Sequence, residues 1–415
     1  MKQGYLSQYF KGVGFKRLSA VEANRHRSNQ HEFDGVAAMR RILGSVKRPF
    51  DGRFVYMDDE GLAPVTDSGV LTWYNAREDH PSRTEWRLYF PTTQVSEHMA
   101  EGDLLVIALR PDDSLLVIVA RSGSTIESQL SWLFDIPTTG WRGYSTKNEA
   151  DIDERRVEFA SKLILEQIGV EIPDTADRYL DRMLNRFNGH FPTTAQFSAF
   201  ARETAVDIDP VSDDADRVIL FWMEREELLF RTLEKHLIGD RLKAGFEDVE
   251  SFVSFSLTVQ NRRKSRAGFA LENHLEHLFR ARRIRYIRTA RTEGRAKPDF
   301  LFPGEAEYRS KEYSASLLTM LGVKSSCKDR WRQILAEADR ISEKHLFTLE
   351  PGISANQTDE MRSRSVRLVL PREIHASYSP NQRTWLMDLV QFIEVVASRQ
   401  ADPRNSTSWS VPSPS

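Results

Sequence analysis

The apolar residues of this chain change their period twice, and that change constrains the architecture more than any single motif does. Between 53 and 135 they come in short runs, FVYM, GVLTWY, EWRLYFP, DLLVIALR and SLLVIVAR, set apart by turn formers such as Asp112, Asp113, Gly123 and Gly140. Short runs rich in branched and aromatic residues and bounded by turn residues predict strands, so a β-rich domain is expected first. From about 140 the pattern turns charged and helical. DERRVEFASKLILEQIGV (153–170) carries apolar residues at helical spacing before EIPDTADRY (171–179) breaks it. Helices then dominate to 285, with VILFWMEREELLFRTLEKHL (218–237) long and periodic. The remainder alternates KPDFLFP (297–303), LLTMLGVKSS (317–326), DRWRQILAEADRI (329–341), HLFTL (345–349) and VRLVLP (366–371), which predicts a mixed sheet flanked by helices.

A chain of 415 residues exceeds one ordinary core at roughly 150 residues per domain. The expected organisation is a β-rich domain over 1–150, a helical linker over 151–178, an α/β domain over 179–398 and a disordered tail over 399–415, rich in Ser and Pro. No apolar run approaches the roughly 20 residues of a membrane-spanning helix. The N-terminal stretch lacks a signal-peptide core, and the lone Cys327 excludes an intrachain disulfide, so a reducing cytoplasm is the expected location.

The formal charge of −2 from 58 basic and 60 acidic residues hides local bias. NRRKSRAG (261–268) and RARRIRYIRTARTEGRAK (280–297) are strongly basic. Two readings stand: contact with DNA phosphates, or a solvated helix surface.

Within 297–303, alternation puts Lys297, Asp299 and Leu301 on one face and Phe300 and Phe302 on the other. In the next expected strand Lys324 closes an apolar run. Carboxylates that hold Mg²⁺, with a lysine to stabilise developing negative charge, are the groups that phosphodiester hydrolysis needs. In the commonest arrangement a second acid stands two residues before the lysine, but Gly322 occupies that position. The segment 329–341 has Trp331, Ile334, Leu335, Ala338 and Ile341 on one helical stripe, with Glu337 at its border, where it can reach inward. His274 and His277 read as surface residues and Cys327 as a small packing residue. Asp329 sits where an N-cap is expected.

The blocks NRRKSRAG, LENHLEHLF, KPDFLFP, VKSSCKDRWRQILAEADRI and HLFTLEPG closely resemble the catalytic domain of the EcoRII-type Type II restriction endonucleases, within the PD-(D/E)xK superfamily. The resemblance spans roughly 180 to 375. It implies an endonuclease-like fold with a displaced acid, catalytic residues Asp299, Lys324 and Glu337 with Glu272 as a further acid, and Mg²⁺ on Asp299 and Glu337. Lys328, Asp329 and Arg330 resemble the family's base-reading element for the CC:GG part of a CCWGG-like site, and Arg and Asp suit guanine and cytosine edges. More patchily, FKRLSA, SNQHEF and WYNAREDHPSRTEWRLYFP look like the family's effector-binding domain, a B3-like pseudobarrel. That likeness nominates Asn29, Gln30, Asn75, Arg77, Arg83, Glu85 and Arg87 as DNA contacts.

The family implies a homodimer acting on double-stranded DNA, with target and effector sites and an autoinhibitory N-terminal domain. A DNA-binding regulator or a repair nuclease on the same scaffold are the competing readings. The first would bind without cutting, and the second would cut at lesions rather than at a sequence.

Overall fold

The computed structural model describes residues 5–23, 31–35, 39–60, 63–80, 83–137, 145–148, 159–170, 177–293 and 296–402. The chain divides into two compact units. One comprises Met1–Ile172 with Pro351–Thr358 and Ser377–Pro380, the other Pro173–Glu350 with Asp359–Ala376 and Asn381–Ser415.

The first unit is built on a mixed sheet of β1 (Gly12–Arg17), β2 (Glu32–Gly35), β3 (Arg48–Met57), β4 (Val65–Asn75), β5 (Trp86–Tyr89), β6 (Leu104–Leu109), β7 (Leu115–Ala120) and β8 (Ser145–Asn148). Their order is β2-β5-β4-β3-β7-β6-β1-β8, antiparallel except at the parallel pair β3 and β7. This is the expected β-rich pseudobarrel, and its sheet covers an apolar core on each face. Along β6 and β7, Leu104, Val106, Ala108, Leu116, Ile118 and Ala120 enter one core. Leu105, Ile107, Leu109, Leu115, Val117 and Val119 enter the other, with Trp73 and Trp86. Burial on both faces explains why these strands read as continuous apolar runs. The helix Phe159–Gln167 contributes Ile164 and Leu165 to the first core, so the segment expected to be a linker packs as part of this unit.

In the second unit, two long helices, Ala215–Ala244 and Val249–Ala281, are started by side-chain caps from Asp214 and Asp248. They lead into a mixed sheet of β9 (Ile287–Arg288), β10 (Phe300–Phe302), β11 (Thr319–Val323), β12 (Lys344–Phe347) and β13 (Val366–Val369), in the order β13-β12-β11-β10-β9. β11, β12 and β13 run parallel, while β9, β10 and β11 pair antiparallel. Phe279 from the second long helix meets Phe300 and Phe302 at 5.3 Å, and Phe392 of helix Leu389–Ala401 meets Phe302 at 5.7 Å. These rings pin both helices to the sheet.

Three details depart from expectation. His274 is fully buried and faces the buried Glu226 at 3.0 Å, because the stripe around it packs inward on the neighbouring long helix. β10 is shorter than the strand expected over 297–303: it begins only at Phe300, so Asp299 stands just before it. The helix expected over 329–341 is a 3-10 segment, Lys328–Ala336, capped by Cys327 rather than by Asp329. It ends there because tertiary partners take the backbone bonds that a longer helix would use. The amides of Ala338, Asp339 and Arg340 donate to Thr292 Oγ1, Glu293 Oε2 and Tyr308 Oη. The Lys344 ammonium bonds the carbonyls of Glu337, Ala338 and Ile341. Ala338 is left-handed at φ 51°, which also breaks the helical path.

Candidate active site

β10 and β11 pair with Phe300 opposite Leu321, so the register continued by one residue sets Asp299 opposite Gly322. From there Asp299 Oδ2 accepts the Val323 amide at 2.7 Å and the Lys324 ammonium at 3.1 Å. The lysine is fixed from its main chain as well, since its amide donates to the Phe347 carbonyl of β12 at 3.0 Å. Both side chains are largely shielded, with 12% of Lys324 and 19% of Asp299 exposed. Charge-assisted bonds are strengthened in such surroundings.

Glu337 enters from the end of the 3-10 segment. Burial pushes its carboxyl up to about 7; the Asp299 charge adds to the rise, and Lys324 and Lys344 oppose it. Its Oε2 is buried without a hydrogen-bond partner. Glu272, on the long helix, is also raised, first by burial and then by the Asp299 charge. Arg288 on β9 counters that rise by bonding both Glu272 and Glu276. Of the four residues nominated from the sequence, Glu337 and Glu272 therefore each sense the charges of Asp299 and Lys324.

Among the described residues, no three His, Cys, Asp or Glu side chains form a ready cation-binding group. Glu272 is turned to Arg288, and Asp299 to Lys324 and Val323. The donor set nevertheless fits a hard divalent cation. Oxygen ligands from mutually repelling carboxylates, one with an unsatisfied buried oxygen, are what such an ion neutralises.

Of the base-reading candidates, Arg330 is exposed, whereas the side chains of Lys328 and Asp329 lie outside the description. Trp331 is fully buried, and Arg332 pairs with Glu360 at 2.6 Å. Cys327 is buried as a packing residue, and its amide donates to the buried Glu350 carboxylate.

The basic run satisfies neither sequence reading in full, since much of it is paired inside the unit. Arg263 bonds Glu234 at 2.6 Å, the buried Arg266 lies between Glu226 and Glu227, and Arg282 donates to the carbonyls of Pro210 and Asp213.

In the first unit Asn29 and Gln30 lie outside the described residues, and Arg83 is exposed. Asn75, Arg77, Glu85 and Arg87 come together at the joined ends of β4 and β5. Asn75 Oδ1 accepts the Arg77 and Glu85 amides. Glu85 bonds both arginines, and Arg87 reaches Glu32 at 2.6 Å.

Sequence reasoning missed the supports around the site: Arg288, Thr292, Glu293, Lys344 and Glu350. The last two did leave a signal. They are charged residues flanking the apolar run HLFTL (345–349), where a charge needs a specific partner.

Residues 230–393, which contain Glu272, Asp299, Lys324 and Glu337, match the family described as EcoRII C terminal. Over 190 residues the chain is 46% identical to the Type II restriction enzyme EcoRII of Escherichia coli, a match covering 46% of this chain and 47% of that protein. The chain thus spans about half the length of the curated relative that it matches. Similar solved structures are metal-depleted Ecl18kI in complex with uncleaved DNA, at TM-score 0.45 and 17% identity over 57% of this chain and 88% of that chain, and the PspGI–substrate DNA complex, at 0.41 and 18% over 50% and 93%. The C-terminal part of this chain is EcoRII-like by sequence.

Proposed function

We propose that this chain is a Mg²⁺-dependent Type II restriction endonuclease of the EcoRII kind, hydrolysing phosphodiester bonds of double-stranded DNA at a CCWGG-like site. The observation that carries the reading is the contact between Asp299 and Lys324 beside the raised, partly unsatisfied Glu337 carboxylate. The sequence match over the segment that holds all three residues supports it.

Asp299 and Glu337 are the residues to hold the cation, with Glu272 beside them. A divalent ion held by these carboxylates would supply charge to polarise the scissile phosphate and to lower the pKa of an attacking water. Lys324, oriented by Asp299, presents its ammonium to the charge that develops on the phosphate oxygens. The segment Lys328 to Arg330 reads bases four to six residues beyond that lysine, which couples recognition to cutting. The chain acts as a homodimer, so that a two-fold pair presents one reading element to each half-site. The first unit binds an effector copy through Asn29, Gln30, Asn75, Arg77, Arg83, Glu85 and Arg87, and restrains cleavage until it does so.

Incubation with Mg²⁺ and a plasmid bearing CCWGG sites should yield discrete fragments, and Lys324→Ala should bind that DNA without cutting it. Binding without cutting by the native chain would favour a regulator. Cleavage by Lys324→Ala would remove the site assignment.

A further inference from the structure

The crossover that carries both the base-reading and the acidic residues, 327–341, is gripped at its two ends by two buried charges that bracket β12. At the far end, Lys344 opens the strand with 8% of its surface exposed. Among the described residues its ammonium bonds main-chain carbonyls rather than a carboxylate. It spends its donors on three main-chain carbonyls, those of Glu337, Ala338 and Ile341, the last two at 3.1 and 3.4 Å. Burial holds this lysine below its usual pKa. A lysine in such a place needs a strong reason to stay charged, and three converging carbonyls supply one. They also fix the backbone at Ala338, whose left-handed conformation a residue other than glycine keeps only where the surroundings impose it. Thr292 holds the amide of the same residue at 3.3 Å.

At the near end, Glu350, also 8% exposed, accepts the amide of Cys327, the residue that caps the segment Lys328–Ala336. Its own amide is fixed by Thr348 Oγ1 at 3.1 Å. The parallel register of β11 and β12, with Val323 opposite Phe347, places Glu350 beyond the strand ends where the crossover departs. Lys344 sits where the crossover returns.

We infer that Lys344 and Glu350 are positioning residues with separate duties: Lys344 sets the cation-holding Glu337 in place through its main chain, and Glu350 sets the base-reading turn through Cys327. The inference rests on the nuclease reading above. Supporting groups behind a cation ligand are commonly worth about 10- to 100-fold in affinity or rate, and a misplaced reading element loses discrimination of about tenfold or more per base pair.

The test measures three quantities on the full-length chain. They are single-turnover cleavage with Mg²⁺, Mn²⁺ binding without DNA by electron paramagnetic resonance, and the affinity ratio for a CCWGG duplex over one with an inner C·G pair reversed. Lys344→Met should slow cleavage and weaken Mn²⁺ binding by about tenfold or more while leaving the duplex ratio within about twofold. Glu350→Ala should lower the duplex ratio about tenfold and leave Mn²⁺ binding unchanged, and Glu350→Gln, which keeps an acceptor oxygen, should restore it. Where thermal melting shows that Lys344→Met has not folded, Thr292→Val is read in its place, with the same expectation.

Parallel losses of all three quantities in both variants would mean ordinary structural roles, and normal values in both would mean no role. Either result overturns the inference. A Lys324→Ala protein that still cuts would instead remove the nuclease reading itself, so the two failures are distinguishable.

Discussion

Ile334 occupies the space that a side chain at position 322 would need: a Cβ added to Gly322 would lie 2.6 Å from Ile334 Cγ2. On the nuclease reading proposed above, the missing acid before Lys324 and the displacement of the second acid to Glu337 have one cause. The segment that delivers Glu337 also lays Ile334 over the strand, where a carboxylate would otherwise stand.

Restoring the commoner arrangement should therefore fail. Gly322→Asp forces a side chain into a filled, buried position, with an expected loss of about 1–3 kcal/mol from overpacking, and no gain in cleavage. Urea denaturation and plasmid cleavage measure the two effects. Adding Ile334→Ala should recover part of the stability; a stable, fully active Gly322→Asp single variant would contradict the packing argument.

The raised Glu337 carboxyl makes a prediction about pH. In the unfolded chain the group ionises near 4.5, and in the fold at about 7. Its folded value is the higher one, so its contribution is fully present below about 4.5 and is lost as pH rises through about 7. In EDTA, stability of the native chain should fall across that window more steeply than that of Glu337→Gln. Identical slopes in chemical denaturation would show that the carboxyl is not perturbed.

The buried pair of Glu226 and His274, with Arg266 beside it, joins the two long helices that carry Glu272 toward the sheet. Removing Glu226 takes away the acceptor that His274 and Arg266 face, while Arg266 keeps Glu227, so the expected cost is that of a lost buried polar partner, about 1–3 kcal/mol. Glu226→Ala should therefore lose stability on that scale in urea denaturation, whereas an exposed pair such as Lys243 and Asp240 should be neutral when broken.

If the first unit restrains cleavage, deletion of residues 1–172 should speed cutting of DNA that bears a single site and remove the stimulation given by an added effector duplex. Gel-resolved cleavage of one-site and two-site plasmids measures both. A truncated chain that folds, by circular dichroism, and cuts no faster would rule out the restraint.

The two-part architecture was legible in the amino-acid pattern, because the change from short apolar runs to helical and alternating patterns marks where one core ends and another begins. The pattern also anticipated that Asp299 and Lys324 would meet, since neighbouring strands bring their ends together. How Glu337 comes to lie near Asp299 depended on contacts that local pattern does not carry. The pattern of 329–341 is helical in its own right, yet Lys344, Thr292 and Glu293, distant in sequence or across a strand boundary, take its backbone bonds, and the chain turns at the left-handed Ala338. Nor did the basic run show its carboxylate partners, because Glu226, Glu227 and Glu234 lie on another helix about a hairpin away. Local periodicity records which face of an element is apolar; it does not record which distant polar group will compete for the backbone or neutralise a charge.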